Sequence, residues 1–423
     1  MTSRSIALSV AAVFGFWLTT PLSGASVEKV LYSFNGSDGS LPYSALTFDS
    51  KGNLYGTTYL GGEYGYGTVF ELIRRGNGEW IEKVLHSFNF NGKDGAYPLA
   101  GLIFDEKGNL YGTTYAGGTN GFGAVFELRP VNGTWAEQVL HSFNPDGRDG
   151  ALPEAGLIFD AKGNLYGTTL QGGTYDDGTV FELMPNTNGK WSEEVLHSFN
   201  VNSRDAAFPE ASLVFDCEGN LYGTSYGGGT YSDGTVFQLK ASTNGTWTAK
   251  VLHSFNFNGK DGFAPEAALI FDAKGNLYGT TVEGGTYNNG TAFELVPGTN
   301  GKWTEKVLHS FDHNTDGGSV LFAGLVFDAK GNLYGTTYVG GAYSFGTVFE
   351  LVPRTNGEWT EEVWHSFNPN DEDGLLPTAG IILDNSGNLY GVTNEGGASG
   401  NGVVFEISPE LEIGARENSW PSK

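Results

Sequence analysis

Cysteine and positive charge are both scarce in this sequence. Cys217 is the only cysteine among 423 residues, so the chain can form neither an internal disulfide nor a thiolate metal cluster. Stability must then come from size and packing, which a chain of this length can supply. Lysine and arginine total 23 against 48 aspartates and glutamates, a net charge of −25. Such a surface repels nucleic acid and anionic lipid headgroups, which excludes both as partners.

Long apolar runs are confined to the start of the chain. Arg4 precedes an apolar stretch from Ile6 to Thr20, and small residues follow at positions 23–25. This order predicts a signal peptide over residues 1–25, cleaved near Ala25, and therefore a secreted or extracytoplasmic protein. An uncleaved membrane anchor is the alternative, but a spanning helix needs roughly 20 apolar residues. We expect no membrane span in the mature chain.

Two common enzyme motifs are missing too. Neither the H-E-x-x-H zinc motif nor the G-x-x-x-x-G-K-[ST] phosphate loop occurs, and the glycines of the repeat described next enter a strand rather than a helix. We therefore expect no catalytic residues and no cofactor, and an enzyme is the less favoured class.

Glycine, in contrast, is abundant, with 65 residues, and much of it recurs in one motif. The string G-N-L-Y-G occurs seven times, at intervals of 55 or 56 residues. Its copies begin at Gly52, Gly108, Gly163, Gly219, Gly275, Gly331 and Gly387. A fixed period over most of a chain indicates a repeat architecture.

Each copy of the repeat predicts four short strands and no helix. In the first copy strand A covers residues 45–49, strand B 54–59, strand C 68–72 and strand D 80–88, with turn residues between them. An antiparallel four-stranded unit repeated seven times predicts an all-β, seven-bladed β-propeller rather than a β-helix or a helical solenoid. Small residues begin every strand A, as we expect where innermost strands crowd around an axis.

The two ends of the repeat array predict that the ring is closed. Residues 27–34, V-E-K-V-L-Y-S-F, match strand D of the first copy, whereas the seventh copy has no strand D of its own. We expect residues 27–34 to complete the last blade, which leaves no unpaired edge there. The propeller is thus predicted over residues 26–408, as one domain and a monomer, with a polar tail over residues 409–423.

The repeat F-D-x-x-G-N-L-Y-G-T-T-x-x-G-G-x-x-x-x-G-T-V-F-E-L resembles the GloVer tandem-repeat family. These are bacterial extracytoplasmic proteins, many of which carry C-terminal anchoring signals. The D-x-x-G-N-L-[WY] core is also similar to the repeats of sensor-type and NHL-like propellers. The resemblance implies the fold and secretion, and it implies no established activity and no catalytic residues. Residues 410–423 contain neither an apolar span nor a sorting motif.

Residues that recur in every copy are best explained as parts of the blade. Six histidines share one place in strand D, and we expect hydrogen bonds within their blades rather than metal sites. They are His86, His141, His197, His253, His309 and His365. The D-to-A connections at residues 144–150 and 368–374 are similar to calcium loops, but Asx turns explain them without an ion. We expect no metal.

Residues that differ between copies can recognise a single ligand. A proline precedes strand A in most copies, and the residue after it is Glu154, Glu210 or Glu266 in three adjacent blades. We expect these carboxylates to converge at the mouth of the central channel. A cation, an amine or a hydroxyl-rich sugar would relieve their repulsion there. The alternative is that the three side chains point into water.

The B-to-C loops are expected on the same face, and each of these three blades has a tyrosine there. They are Tyr175, Tyr231 and Tyr287. Large rings in polar loops suit stacking on sugars or gripping a partner, although sealing the gap between blades would also explain them.

The sequence therefore predicts a secreted binding protein that recognises a glycan or a protein partner through one face. Two alternatives stay open, because a fold does not fix a function. One is a glycan lyase or hydrolase that uses the channel-mouth carboxylates as acid and base. The other is a purely structural or adhesive surface protein. The regularity of the repeats favours binding.

Overall fold

The fold is a ring of seven four-stranded antiparallel sheets, as a computed structural model shows, and it confirms the predicted seven-bladed propeller. The structure describes residues 26–409, except residues 188, 244, 315, 316 and 371. The proposed signal peptide, residues 1–25, lies outside this range. Within the described residues there is no α-helix, and one turn of 3₁₀ helix occurs at Val201–Ser203. None of the described helices is long and apolar enough to cross a membrane.

The four strands of a blade run outward from the axis in the order A, B, C, D. Strands A are Thr47–Phe48, Ile103–Phe104, Ile158–Phe159, Val214–Phe215, Ile270–Phe271, Val326–Phe327 and Ile382–Leu383. Strands B are Leu54–Thr58, Leu110–Thr114, Leu165–Thr169, Leu221–Ser225, Leu277–Thr281, Leu333–Thr337 and Leu389–Thr393. Strands C are Thr68–Arg74, Ala124–Val131, Thr179–Pro185, Thr235–Ala241, Thr291–Pro297, Thr347–Pro353 and Val403–Pro409. Strands D are Trp80–Ser87, Thr134–Ser142, Trp191–Ser198, Trp247–Ser254, Trp303–Ser310, Trp359–Ser366 and Ser26–Ser33.

Strand A is shorter than its sequence pattern predicts, two residues instead of five in the first blade. The small residues that precede it bond to the neighbouring blade instead of extending their own sheet. The Thr57 hydroxyl of the first blade donates to the carbonyl of Ala100 in the second, at 3.1 Å. These small residues line the axial channel, as expected from crowding.

The last blade takes its outer strand from the beginning of the chain. Ser26–Ser33 pairs antiparallel with Val403–Pro409, from Ser26 opposite Pro409 to Ser33 opposite Val403. The closing strand begins and ends one residue earlier than predicted. The last strand C includes Pro409, the first residue of the predicted tail, and residues 410–423 lie outside the described range. The ring is therefore closed by hydrogen bonds between its two ends.

The hydrophobic core lies between blades. Tyr55 and Phe88 of the first blade pack against Leu110 and Phe126 of the second, and the other junctions repeat this cluster. The tryptophan of strand D also packs across the junction, with ring centroids of Tyr55 and Trp135 6.5 Å apart. Each blade is thus stabilised mainly by its neighbours, as in other repeat folds.

The connections on one face form small sheets of their own. In six blades, two residues of the incoming D-to-A connection pair with two residues after strand B. The pairs are Gly95–Ala96 with Ala116–Gly117, Gly150–Ala151 with Gln171–Gly172, Ala206–Ala207 with Gly227–Gly228, Gly262–Phe263 with Glu283–Gly284, Gly318–Ser319 with Val339–Gly340, and Gly374–Leu375 with Glu395–Gly396. This pairing places the D-to-A connections and the B-to-C loops on the same face.

Candidate functional site

In each blade, a residue in the left-handed conformation directs the side chain two positions later towards the axis. In the third blade Leu152 adopts φ +57°, Pro153 follows, and Glu154 comes next. A left-handed conformation is unfavourable for a side chain such as leucine, so surrounding contacts must hold it. The Leu152 N–H donates to the Phe122 carbonyl of the preceding blade at 2.8 Å. Every blade has a residue in this conformation, and a proline follows it in all blades but the sixth, which has Leu321. The seven residues are Leu41, Tyr97, Leu152, Phe208, Ala264, Val320 and Leu376.

The seven side chains presented this way meet in one axial cavity of about 380 Å³. We call them the ring residues. They are Tyr43, Leu99, Glu154, Glu210, Glu266, Phe322 and Thr378, and Tyr338 and Asn394 complete the lining. The ring is not uniform, because its acidic members are all in three adjacent blades.

Glu154, Glu210 and Glu266 form the acidic sector of this cavity, and all three are half-buried. Burial is the main cause that raises their pKa values. Burial and then the charges of Glu266 and Glu154 raise the pKa of Glu210 to about 8. Burial, Glu154 and Glu283 raise the pKa of Glu266 to about 7, and burial raises that of Glu154. Near neutral pH this sector therefore holds both protonated and ionised carboxyl groups.

The remaining ring residues are neutral, and two of them, Tyr43 and Phe322, form an aromatic arc together with Tyr338. The rings of Phe322 and Tyr338 lie edge to face with centroids 5.3 Å apart. Tyr43 contacts Tyr59 in the same way at 5.6 Å. The Thr378 hydroxyl donates to Asn394 Oδ1 at 2.8 Å. One side of the cavity can thus accept hydrogen bonds or positive charge, while the other offers aromatic faces.

Hydrogen bonds between blades hold the acidic sector in place. The Thr113 hydroxyl donates to the carbonyl of Ala155, the residue after Glu154, at 2.9 Å. The Thr168 and Thr224 hydroxyls do the same for Ala211 and Ala267, at 3.2 and 2.9 Å. The backbone of each glutamate is therefore fixed by the preceding blade, which limits how far the carboxylates can separate.

The loop tyrosines lie on the same face but do not line the cavity. Tyr175, Tyr231 and Tyr287 are 53%, 53% and 52% exposed. The loop is held outward, because the N–H of Thr174 donates to the Ser198 hydroxyl at the end of strand D, at 3.3 Å. The structure thus brings the three glutamates together and leaves the three tyrosines farther out.

The recurrent histidines lie at the junctions between blades, which corrects the expectation of bonds within a blade. His86 Nε2 donates to Asp94 at 3.1 Å, in the connection that leads to the next blade. A histidine–aspartate pair of this kind occurs at five junctions in all, and His309 bonds instead to Glu361 on the next strand D at 3.1 Å. The sequence places histidine and aspartate eight residues apart, but only the fold shows that a glutamate from the next blade joins four of these pairs.

One string in the sequence matches the G-x-S-x-G motif of serine hydrolases, at residues 223–227. These residues form the end of a strand B and the start of a small sheet, whereas the serine of a hydrolase lies in a sharp turn between a strand and a helix. Ser225 is fully buried and its hydroxyl donates to the Gly227 carbonyl at 2.8 Å. This serine is in no position to attack a substrate.

Tyr338 and Asn394 line the cavity in addition to the seven ring residues. Both directly follow strand B, at equivalent places in adjacent blades. The sequence indicates Tyr338 as an aromatic residue at the end of a strand B, but nothing in the sequence distinguishes Asn394. Its role depends on the packing of two segments of the last blade.

Comparisons with known proteins identify the repeat and the fold. The profile of the Gloeobacter/Verrucomicrobia repeat family matches residues 15–237 and 213–415. No curated protein matches the chain.

Two solved structures share the fold at low sequence identity. One is described as the extracellular domain of a hybrid two-component system from B. thetaiotaomicron, with 11% identity and a TM-score of 0.55 over 89% of this chain and 39% of that one. The other is an ancestral GH74 enzyme, with 12% identity and a TM-score of 0.54 over 89% of this chain and 49% of that one. This chain spans half or less of the length of either, and at such identities the likeness shows the fold alone.

Proposed function

The chain belongs to the Gloeobacter/Verrucomicrobia repeat family, and we propose that it is a binding protein that recognises its partner through the axial cavity. One observation carries the proposal: three half-buried glutamates from adjacent blades share this cavity with an aromatic arc. Like charges held together in a partly dry site are unfavourable on their own. A scaffold repeated in every blade does not need them, because four blades use neutral residues at the same position.

The chemistry of the cavity favours a glycan. A sugar ring can stack an apolar face on Tyr43, Phe322 or Tyr338 while its hydroxyls donate to the carboxylates. An amino sugar would add a positive charge for the acidic sector. A protein partner that inserts a lysine or arginine would meet the same two requirements. The exposed loop tyrosines on this face, Tyr175 among them, would then contact the parts of a ligand that extend beyond the cavity.

A glycan array followed by calorimetric titration tests this proposal. We expect binding to oligosaccharides rich in amino sugars or free hydroxyls. Changing Glu154, Glu210 and Glu266 together to Gln keeps their shape and removes their charge, and we expect the affinity to fall at least about tenfold. The matched control changes three exposed glutamates, Glu79, Glu106 and Glu358, to Gln. Equal affinity of the two triple variants would reject the cavity as the site.

Glycan cleavage is a second candidate, and the protonation states favour it. At neutral pH Glu210 can hold a proton while another carboxyl of the sector is ionised, and acid–base catalysis of glycoside cleavage needs such a pair. The array ligands should therefore be incubated with the protein and assayed for new reducing ends or unsaturated products. Turnover that the triple Gln variant loses would make the protein an enzyme, whereas intact ligand supports binding alone.

We also propose that the protein acts outside the cytoplasm. The support is the pattern of charge, apolar run and small residues over positions 1–25 and the presence of an extracellular domain among proteins of the same fold. Expression of the full chain in a bacterium, followed by fractionation and N-terminal sequencing, tests this. Export with a new N-terminus at Ser26 is expected, and retention of Met1 in the cytoplasm would reject it.

A further inference from the structure

Three ligand-bearing side chains meet where the closing strand contacts the sixth blade. Glu28 comes from the closing strand, His365 from strand D of the sixth blade, and Asp373 from the connection that follows. One nitrogen or oxygen from each lies within 4.8 Å of both others. In the described part of the chain no other group of three His, Cys, Asp or Glu residues meets this spacing.

Asp373 is the fixed member of this group. It is 6% exposed, and its two oxygens accept the N–H groups of Asn368 and Gly374 at 3.0 and 2.7 Å. His365 Nε2 lies 2.8 Å from Asp373 Oδ2. The backbone donors thus hold the aspartate, as outer contacts do for ligands in metal sites, and the aspartate places the imidazole beside it.

Glu28 is the member that lacks a partner. Its Oε1 is buried and accepts no hydrogen bond. A buried acceptor without a donor is unfavourable, and a second carboxylate nearby adds repulsion. A cavity of about 370 Å³ opens at this point, lined in part by Glu28, Tyr343 and Trp364, so an ion has room to enter.

We propose that Glu28, His365 and Asp373 bind a divalent transition-metal ion, zinc first, which fastens the closing strand to the sixth blade. One imidazole nitrogen and two carboxylate oxygens suit zinc, whose bonds to such ligands are about 2 Å long, with water as the fourth ligand. Calcium and magnesium prefer oxygen alone. Coordination through Nε2 leaves the imidazole proton on Nδ1 and replaces the hydrogen bond to Asp373.

The junction between the fourth and fifth blades provides a matched control within the same chain. Glu305, His253 and Asp261 occupy the equivalent positions, and Glu305 Oε1 is also buried without a partner. Their ligand atoms are not grouped within the same short distance. The sequence suggests the histidines and the Asn- and Asp-rich connections as separate candidates, and it does not link them to Glu28, which is more than 300 residues away from His365 in the chain.

Zinc titration of the untagged, EDTA-treated protein tests the proposal. We expect one zinc ion per chain by calorimetry, a higher melting temperature with zinc, and no effect of calcium at the same concentration. Glu28→Gln should weaken zinc binding at least tenfold, whereas Glu305→Gln should leave it unchanged. Equal affinity of the wild type and Glu28→Gln, an equal loss in Glu305→Gln, or an equal response to calcium would overturn the proposal.

Cobalt provides a second measurement if Glu28→Gln does not fold. Bound Co²⁺ absorbs visible light with an intensity that reports its coordination, so folded His365→Asn can be compared directly with the wild type. We expect the bands of a protein-bound ion in the wild type and their loss in His365→Asn. Identical spectra of the two proteins would show that His365 is not a ligand and would overturn the assignment.

Discussion

Acidic side chains are gathered in two regions, the axial cavity and the outer rim, and they are arranged in opposite ways. At the rim, a glutamate faces the histidine–aspartate pair of the preceding blade at four of the seven junctions, and Glu82 faces Tyr32 and Asp38 instead. Burial and then the nearby aspartate raise the pKa to about 7 at Glu82, Glu137, Glu193 and Glu305. At the axis the acidic residues are confined to three blades and face each other.

The difference separates what holds the ring together from what can recognise a ligand. The acidic groups that recur at most junctions of the rim contribute to the packing of one blade against the next, because every blade needs this contact. The acidic sector breaks the repeat, and nothing in the packing of a blade requires it. A nearly symmetric ring can recognise a single partner only where the side chains of some blades differ from those of the others.

Removal of the closing strand should have the largest effect on the stability of the ring. Without residues 26–33, strand C of the last blade has an unpaired edge, and the rim is interrupted at one junction. We expect self-association or strand exchange, together with a large fall in melting temperature. Light scattering and thermal melts against a control protein that begins at residue 26 measure this. A monomer with an unchanged melting temperature would show that the strand does not close the ring.

A smaller effect on stability, which depends on pH, is expected from Glu210→Gln in the axial cavity. The pKa of Glu210 is about 8 in the folded protein against an ordinary value of 4.5, so the folded state keeps a proton that the unfolded chain releases. Stability therefore falls as pH rises through this window, and Glu210→Gln should remove the fall. We expect a gain of about 1–2 kcal/mol above about pH 8, after allowance for solvent at the cavity mouth, and none near pH 4.

Urea unfolding at both pH values measures the difference, with exposed Glu106→Gln as the control. The same variant should lose affinity for the ligand that the array identifies. A gain of equal size near pH 4 would mean that the effect does not come from ionisation.

The smallest effect is expected at the rim. The pKa of Glu137 is about 7, so its contribution is lost as pH rises from about 4.5 to 7, and Glu137→Gln should gain about 1 kcal/mol above that window. Its amide can also donate to Asp94. Ligand affinity should not change, which distinguishes rim from axis. A loss of affinity in this variant, measured by the same titration, would contradict the separation of the two regions.

The sequence was informative wherever a feature depends on neighbours along the chain or on the repeat. The motif at Gly52 and its copies predicted the blades, and the match of residues 27–34 to strand D predicted closure, since both need only comparison of one copy with another. The proline before Glu154 predicted which side chains would face the axis.

Features that depend on contacts between segments separated along the chain could not be predicted. The two-residue length of strand A results from hydrogen bonds to the preceding blade, which no single repeat reveals. Asn394 enters the cavity because the last blade packs it against Thr378. The outward position of Tyr175 follows from a bond between its loop and the end of strand D, which lies more than 20 residues later.

Closure by antiparallel pairing also sets how the ring responds to tension. Ser26 and Pro409 are opposite each other at one end of the pair, and Ser33 and Val403 are opposite each other at the other end. A force that separates Ser26 from Pro409 would load these hydrogen bonds one after another instead of all together. The ring would therefore open by peeling of the closing strand from this point.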